Sequence, residues 1–468
     1  MFCNKYKHLV QKTLLNKHKN RITVSEFKLY NLKYSAFLFE YYQKLCHLPG
    51  FVLLESTDKA RGRYDILSAY PYDVLTIDKQ KSCTNSVLSK LQEKIIPYHS
   101  SLDLPFQGGA IGFFSYDLAC HIADIIIKPQ PGLMTMPMMQ VGLYDWAIIV
   151  DHFLKKITVF SANTQTNTEK VVEDVLLRWQ SPSTSKHDFI LETIFSPLIS
   201  KSAYQEAFYA IHADLTQGRC YQVNYTQPFN AHFTGDSWAI YKQIKASNPV
   251  PYSAFIRSED ADILCFSPER FIQMDNGHLL TSPIKGTARR VLNSEQDNAV
   301  AKELQACPKN RAENVMIVDL MRNDFGKIAK PGSVKVEALC ELERYKAVHH
   351  LVSHVTAECQ DKFSLVDAFL SCFPGGSITG APKLESMRVI SEQEEYARGV
   401  YCGSIGYFSN HGRFDTNIAI RTITASNNML YLAAGGALII DSKCEEEYLE
   451  CFTKIAGILK GLYTHSRG

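Results

Sequence analysis

The lysine at position 285 stands in a run whose neighbours could change its acidity. It lies in the sequence SPIKGT (282–287), between an isoleucine and a glycine. A lysine held partly out of water loses its proton more readily than a solvated one, and its neutral amine is then a nucleophile or a base. Because most lysines are solvated surface cations, this prediction depends on the residues around Lys285.

Three charged residues recur at helical spacing near the C-terminus. Glu447 and Glu450 are three positions apart and Lys454 follows four further on, so a helix places all three on one face. Such a face is usually only solvated. If it met Glu313, on a second predicted helix, the carboxylates would repel one another unless a cation lay between them. Hard oxygen ligands without histidine or cysteine favour Mg²⁺.

Longer segments accompany these residues in a fixed order along the chain. They are GRCYQVNYTQ (218–227), SPERF (267–271), KNRAEN (309–314), VDLMRND (318–324), FPGGSITGAPK (373–383), YCGSIGY (401–407) and DTNIAIRT (415–422), with looser matches at 53–56 and 108–117. This ordered set resembles the chorismate-binding enzymes. The lysine of SPIKGT is similar to that of one branch of the family, the aminodeoxychorismate synthases (component I).

The resemblance implies a reaction that replaces the C4 hydroxyl of chorismate with an amino group. It implies Mg²⁺ between the acidic helices and the ring carboxylate, with Glu313 and Glu450 as ligands and Glu447 close to the metal. Glu269 is implied as the acid that protonates the departing hydroxyl. Lys285 is implied as the amine that attacks C2 and is later displaced when ammonia adds at C4.

Further residues are implied to bind the substrate. Arg421 offers a planar fork of donors to the enolpyruvyl carboxylate, and Tyr407 adds a hydroxyl. Gly435 and Gly436 lack side chains, so their backbone N–H groups can approach the same anion. The remaining implied substrate contacts are Thr379 and Lys454.

Two of these assignments have plain structural alternatives. His350 matches a family histidine close to the substrate, but a histidine among apolar residues is more often a hydrogen-bonded core residue. Glu269 could be a strand-end carboxylate that pairs with its neighbour Arg270.

Two positions separate the branches of the family, and a third bears on the metal site. Relatives that make anthranilate or isochorismate carry a small residue where Lys285 stands. Isochorismate and salicylate synthases use a lysine base where this chain has Gln222, which disfavours activation of water and favours nitrogen chemistry. Asn310 replaces an acidic residue of many relatives, which implies a less charged metal shell.

A second pocket is implied by the resemblance. Residues Leu54, Glu55 and Ser56, together with Pro251 and Tyr252, match an amino-acid pocket that binds tryptophan in some relatives. The alternative is a core contact between two sheets.

Composition limits the partners and the compartment. A net charge of +2 gives no general attraction to nucleic acid, and no segment is apolar enough to span a membrane. The 13 cysteines, without a CxxC pair, are typical of reduced thiols in the cytoplasm, and the basic N-terminus indicates a solvated start more than a signal peptide. Because no glutaminase nucleophile motif is present, ammonia is expected from a separate glutamine amidotransferase subunit.

The candidate site residues require particular helices and strands to position them. Apolar spacing predicts helices over 201–217, over 312–321 with a start at Pro308 and an end at Gly326, and over 445–462. We predict a sheet-rich region at 1–165, a linker region at 166–200 and a chorismate-binding domain at 201–462. The fold class is α+β with antiparallel sheets. The resemblance implies two facing sheets, helices outside and interleaved subdomains.

Three functions are compatible with the sequence. The first is the aminating subunit of 4-amino-4-deoxychorismate synthase, which supplies p-aminobenzoate and folate synthesis. The second is anthranilate synthase component I, which the presence of Lys285 disfavours. The third is a catalytically silent subunit that binds chorismate or tryptophan, which the complete set of acidic residues disfavours.

Overall fold

Runs rich in β-branched and aromatic residues form most of the molecule. The computed structural model describes residues 9–10, 27–59, 61–79, 84–132, 136–182, 187–345 and 348–463. Apart from positions 9 and 10, the basic N-terminal stretch for which a solvated start is predicted lies outside the described residues. The described strands, in chain order, are β1 (Leu9–Val10), β2 (Lys28–Leu32), β3 (Val52–Glu55), β4 (Tyr64–Ser68), β5 (Asp73–Ile77), β6 (Gly109–Phe114), β7 (Met139–Tyr144), β8 (Trp146–Asp151), β9 (Lys156–Ser161), β10 (Phe189–Leu191), β11 (Ser196–Pro197), β12 (Gln222–Gly235), β13 (Tyr252–Arg257), β14 (Asp262–Ser267), β15 (Arg270–Asp275), β16 (His278–Thr281), β17 (Ile284–Arg289), β18 (Lys335–Arg344), β19 (Val348–Glu358), β20 (Gly380–Ala381), β21 (Ser404–Ser409), β22 (Arg413–Asn417), β23 (Thr422–Ser426) and β24 (Met429–Leu438).

Helices separate groups of these strands along the chain. The described helices are α1 (Leu38–Tyr42), α2 (Thr84–Lys94), α3 (Tyr116–Ile122), α4 (Thr168–Gln180), α5 (Lys201–Thr216), α6 (Ser237–Ser247), α7 (Ser294–Ala306), α8 (Pro308–Gly326), α9 (Leu365–Cys372), α10 (Lys383–Gln393) and α11 (Cys444–Tyr463), with a 3₁₀ turn at Gly376–Ile378. Among the helices in the described ranges, none is both long enough and apolar enough to cross a bilayer.

The strands form two large antiparallel sheets. The first has 14 strands, with the main order β1-β2-β9-β8-β4-β3-β13-β14-β23-β24-β12-β10, and β11 and β20 also pair with β12. The second has 10 strands, with the order β17-β19-β16-β15-β22-β21-β6-β7-β5, and β18 pairs with β19. Each sheet combines strands from both ends of the chain, so the subdomains are interleaved as predicted.

The two sheets face each other across a shared apolar layer. Val52 and Ile256 of the first sheet belong to the same buried cluster as Ile111 and Ile405 of the second. Strands in this layer are buried along their length, for example Gly109–Phe114. Burial on both faces of a sheet favours continuous apolar runs over strict alternation. The α+β class with facing antiparallel sheets is therefore confirmed.

The three helices predicted from apolar spacing are present. Helix α5 begins after Ser200, whose hydroxyl accepts a hydrogen bond from the Ala203 N–H. Helix α8 spans Pro308–Gly326, which are the two residues predicted to begin and end it. The apolar spacing of α8 includes Val315, which would be expected on the buried face, but this residue is 46% exposed and the buried face includes Asn314.

The segment predicted as a linker contains packed structure. Helix α4 buries Val172, Val175 and Trp179, and the Trp179 ring lies 4.9 Å from the ring of Tyr41. This stretch is thus anchored to the N-terminal part of the fold. The division into a sheet-rich region, a linker and a catalytic domain stays a prediction.

Candidate functional site

A bulge in strand β17 carries the lysine of the SPIKGT run. The pairing of β17 with β19 shifts register between Ile284 and Thr287, so Lys285 and Gly286 stand in the irregular part of the strand. Gly286 has a φ of 84°, a conformation that glycine adopts without strain. A bulge bends the strand and changes the direction of its side chains. The glycine next to Lys285 therefore helps to set where the lysine points.

Lys285 is half-buried among charged side chains from several elements. Burial lowers the pKa of its amine and the nearby Lys454 lowers it further, while Glu313, Glu269 and Glu450 oppose the shift. Within the described part of the chain, its amine forms no hydrogen bond or ion pair. The structure thus brings Lys285 together with both helices that carry the acidic residues, and burial shifts the pKa of its amine in the direction of the neutral form.

Glu269 lies at the start of β15, and its side chain is buried. Ser377 donates a hydrogen bond of 3.0 Å to Glu269 Oε1. Burial raises the pKa of the Glu269 carboxyl, against the opposing effects of Lys285, Ser377, Arg421 and Lys454. The shift is in the direction of the protonated form that an acid requires. The alternative pairing with Arg270 is wrong, because Arg270 donates two hydrogen bonds, of 3.0 and 2.9 Å, to Asp415.

His350 is buried on β19 directly opposite Thr287 of β17. Its Nδ1 lies 2.8 Å from Thr287 Oγ1, and its ring packs against the edge of Tyr345 at 5.4 Å. Burial lowers the pKa of His350 to about 4, with further contributions from Arg61 and Arg421. At neutral pH the imidazole is uncharged, and its partner Thr287 lies two residues along β17 from Lys285.

Arg421 links β22 to β23 in an unusual backbone conformation. Its φ is 53°, in the left-handed region that non-glycine residues seldom adopt. Burial lowers the pKa of Arg421, and Arg61 lowers it further, while Glu269 opposes the shift. Strained backbone at a site is typical of a side chain that must be aimed in one direction. The structure places this guanidinium close enough to Glu269 and His350 to influence both.

Helix α11 presents its acidic face to strand β24. A methyl group on Gly436 would lie 2.7 Å from Glu447 Oε2 and 3.4 Å from Glu450 Oε1, so both carboxylates approach this glycine. Lys454 Nζ lies 2.6 Å from Glu450 Oε1 and donates a 2.8 Å hydrogen bond to the Gly435 carbonyl. The structure therefore gathers Glu447, Glu450 and Lys454, which the helical spacing predicts on one face, around the Gly435–Gly436 backbone.

The carboxylates suit Mg²⁺ in their chemistry but do not form a complete cage. Among the described residues, no three carboxylate, imidazole or thiol side chains converge closely enough to bind a metal by themselves. Glu447 and Glu450 share the space left open by Gly436. Mg²⁺ takes few protein ligands and completes its octahedron with water and substrate oxygens. The donor set fits such an ion, with Glu313 available from α8.

The predicted amino-acid pocket coincides with a cavity of about 300 Å³ between the two sheets. All five residues of that prediction line it, and the cationic residues Arg61, Arg63, Arg270 and Arg413 line it as well. Glu55 is already paired, because Lys245 Nζ lies 2.7 and 2.8 Å from its two carboxylate oxygens.

Two predicted substrate contacts have partners within the protein. Tyr407 lines the cavity, where its ring packs edge-on against Phe106 at 6.0 Å. Its strand β21 faces the layer between the sheets, so the structure does not bring its hydroxyl to the groups around Lys285. Thr379 is fully buried and donates its hydroxyl hydrogen to the Gly375 carbonyl at 3.0 Å.

Two residues of the site were given no role from the sequence. Ser377 stands in the FPGGSITGAPK run, so a motif marked its segment although not its contact with Glu269. Arg61 belongs to no motif, yet its guanidinium lies 4.5 Å from the Tyr345 ring and its charge reaches His350 and Arg421. Only the tertiary structure could reveal it.

Comparisons with known proteins identify the family of this chain. The family described as chorismate binding enzyme matches residues 50–460. Aminodeoxychorismate synthase component 1 of Salmonella typhimurium is 42% identical over 440 residues, covering 90% of this chain and 95% of that protein. The Escherichia coli protein of the same name is 41% identical over 439 residues, with 90% and 95% covered.

A solved structure shares the fold. Anthranilate synthase component I from Streptococcus pneumoniae superimposes with a TM-score of 0.77 at 31% identity, covering 85% of this chain and 92% of that one. The family match spans most of the chain, and so do the alignments with the two relatives at 42% and 41% identity. It therefore belongs to the family of chorismate-binding enzymes.

Proposed function

We propose that this chain is the aminating component of an aminodeoxychorismate synthase, which converts chorismate and ammonia to 4-amino-4-deoxychorismate for p-aminobenzoate and folate synthesis. The relatives that carry this name support the overall reaction. The observation that carries the chemical proposal is Lys285, a half-buried amine with a lowered pKa beside a buried carboxyl with a raised one. An uncharged nucleophile and a protonated acid are the two groups that this substitution needs.

In the first proposed step, the neutral Lys285 amine attacks C2 of the ring. Both double bonds of the ring diene shift by one position and the C4–O bond breaks, while Glu269 gives its proton to the departing oxygen, which leaves as water. The lysine nitrogen is now a secondary ammonium joined to C2. Glu269 regains its proton from solvent.

In the second proposed step, ammonia forms a bond to C4. Both double bonds shift back, the C2–N bond breaks, and Lys285 leaves as a neutral amine. Two displacements thus restore the ring and leave an ammonium group at C4. The ammonia comes from a separate glutamine amidotransferase subunit.

The remaining residues bind and orient the substrate. Arg421 holds the enolpyruvyl carboxylate, and the neutral His350 lies beside the lysine without adding charge. Glu313, Glu447 and Glu450 would hold Mg²⁺, whose charge would fix the ring carboxylate and draw electron density from the ring. Lys454 ties the Glu450 carboxylate to the backbone of Gly435.

Product identity tests this proposal. We expect the purified chain, with chorismate, Mg²⁺ and ammonium at alkaline pH, to form 4-amino-4-deoxychorismate, identified by mass and by its conversion to p-aminobenzoate when a lyase is added. Anthranilate as the sole product would overturn the proposal in favour of anthranilate synthase.

The Lys285→Ala variant tests the covalent step. Removal of the nucleophile is expected to lower 4-amination by at least about a thousandfold, since no other group supplies that bond. Chorismate binding should persist, as measured by calorimetry. A variant that forms the 4-amino product at the parental rate would exclude a lysine adduct.

A further inference from the structure

A short turn delivers a hydroxyl to the proposed acid. The 3₁₀ turn Gly376–Ile378 carries Ser377, whose hydroxyl donates to Glu269 Oε1 at 3.0 Å. Just before it, a methyl group on Gly375 would lie 2.5 Å from Ile418 Cδ1, and the Ile418 N–H donates to the Glu269 carbonyl. The turn therefore packs closely against the residues that hold Glu269.

A buried ion pair fixes this turn from behind. Arg398 donates to the Ile378 carbonyl at 2.9 Å and to the Asn224 carbonyl at 2.5 Å, so one guanidinium ties the turn to strand β12. Its other donors go to Glu394, at 2.9 Å and 2.7 Å. Glu394 also accepts from the backbone N–H and the hydroxyl of Thr226, at 3.0 and 2.8 Å.

This pair is almost completely removed from solvent. The side chain of Arg398 is 2% exposed and that of Glu394 is 6% exposed. A buried ion pair loses so much hydration that it adds little net stability over apolar residues of the same size. It can instead hold specific groups in one arrangement, and here those groups include the carbonyl next to Ser377.

We infer that Ser377 is a positioning residue for Glu269, and that the buried Glu394–Arg398 pair holds Ser377 in the arrangement that orients this carboxyl toward the substrate. The inference deepens the proposed function and rests on it. Ser377 acts on the reaction through Glu269 in two ways. It fixes the rotamer of the Glu269 side chain, and its hydrogen bond lowers the carboxyl pKa that burial raises.

Several groups share the environment of Glu269. Lys285 reaches it from β17, Arg421 from the β22–β23 connection and Lys454 from α11, and all three lower its pKa, as Ser377 does. The Ser377 hydroxyl is the neutral member of this set and can be removed without changing the charge of the site. Its removal leaves the Glu269 pKa higher than before.

The Ser377→Ala variant tests the inference. With free ammonia held constant across pH, we expect kcat to fall about tenfold, the usual loss for one hydrogen bond, with KM for chorismate nearly unchanged. Because the acid works when protonated, activity is lost as pH rises through the Glu269 pKa. The alkaline limb of the rate profile should therefore move to higher pH. Ser377→Thr should restore both properties.

A matched control separates this role from stability. Ser68 is a buried serine of β4, remote from the site in the sheet order, whose hydroxyl donates to the Trp146 carbonyl at 2.6 Å. Ser68→Ala should alter thermal stability as much as Ser377→Ala without changing the rate profile. Parental kcat and an unmoved alkaline limb in Ser377→Ala would overturn the inference.

The role of the ion pair is tested by non-additivity. Arg398→Lys keeps the charge but cannot reach both carbonyls and Glu394 at once, so it should produce the same shift of the alkaline limb. In the double variant with Ser377→Ala the shift should be no larger than in either single variant. Additive effects would mean that the pair does not act through Ser377.

Failure of the inference can be told from failure of the proposed function. If the parental chain makes no 4-amino product, the proposed function itself is wrong. If the parental chain makes it and Ser377→Ala behaves like the parent, the function stands and the positioning role is excluded.

Discussion

At the scale of single residues, the site depends on two opposite pKa shifts in one environment. Burial lowers the pKa of Lys285 and raises that of Glu269, so each group tends toward its uncharged form. The charge of each group also favours the charged form of the other. The net shifts therefore mean that the effect of burial is larger than this attraction. Titratable groups whose environments oppose their charge are a frequent mark of acid–base sites.

The lowered pKa of Lys285 can be measured without turnover. Only a neutral amine reacts with an acylating reagent, so a lysine with a lowered pKa becomes reactive at a lower pH. The exposed Lys443 is a matched control, because its hydrogen bond to Glu446 raises its pKa. We expect half-maximal acetylation of Lys285 at lower pH than that of Lys443, measured by mass spectrometry of peptides after brief labelling without metal. The reverse order would show that the lysine is an ordinary cation.

At the scale of helices and strands, the sequence predicts the features that depend on the spacing of residues close together in the chain. Helix α8 begins and ends at the proline and the glycine that mark it, and α11 spans the predicted acidic face. The bulge at Lys285 was not predictable, because it depends on how β17 pairs with β19, a strand more than 60 residues away. The direction of Val315 likewise depends on what α8 packs against.

The bulge can be tested through its glycine. Gly286→Ala forces an alanine into a left-handed conformation and places its methyl group 3.1 Å from Asn310 Cγ. The backbone strain alone costs about 1–2 kcal/mol. The strand can relieve the strain by turning Lys285 away from the site. We therefore expect the rate of 4-amination to fall at least about tenfold, in addition to any loss of activity caused by lower stability. Rates and thermal melting are measured together.

Gly277 is the matched control for this substitution. It has a similar φ of 86° in the turn between β15 and β16, and an added methyl group would meet no atom within 4 Å. Gly277→Ala should lose comparable stability while keeping its activity. If the two variants lost activity equally, the bulge would have no special role in aiming the lysine.

At the scale of the whole molecule, the pairing of distant strands limits what sequence patterns reveal. Strand β3 pairs with β13 across nearly 200 residues, which brings the two halves of the predicted amino-acid pocket together. The resemblance to the family indicated those residues. No local sequence pattern could have indicated them, because they lie far apart in the chain. The resemblance also implied that Tyr407 contacts the substrate. In the structure, its strand faces the layer between the two sheets, so the Tyr407 side chain lines the cavity there.

Because the cavity lies between the sheets, an occupant would join them. Leu54 and Tyr252 come from the first sheet and Arg270 and Tyr407 from the second. We expect L-tryptophan to raise the melting temperature more than D-tryptophan does, since a ligand at a hundred times its Kd stabilises the folded state by about 2.7 kcal/mol. Tyr252→Ala should abolish the effect, while Tyr72→Ala, outside the cavity, should keep it. A melting temperature unchanged by millimolar L-tryptophan would leave the cavity as a packing feature between two sheets.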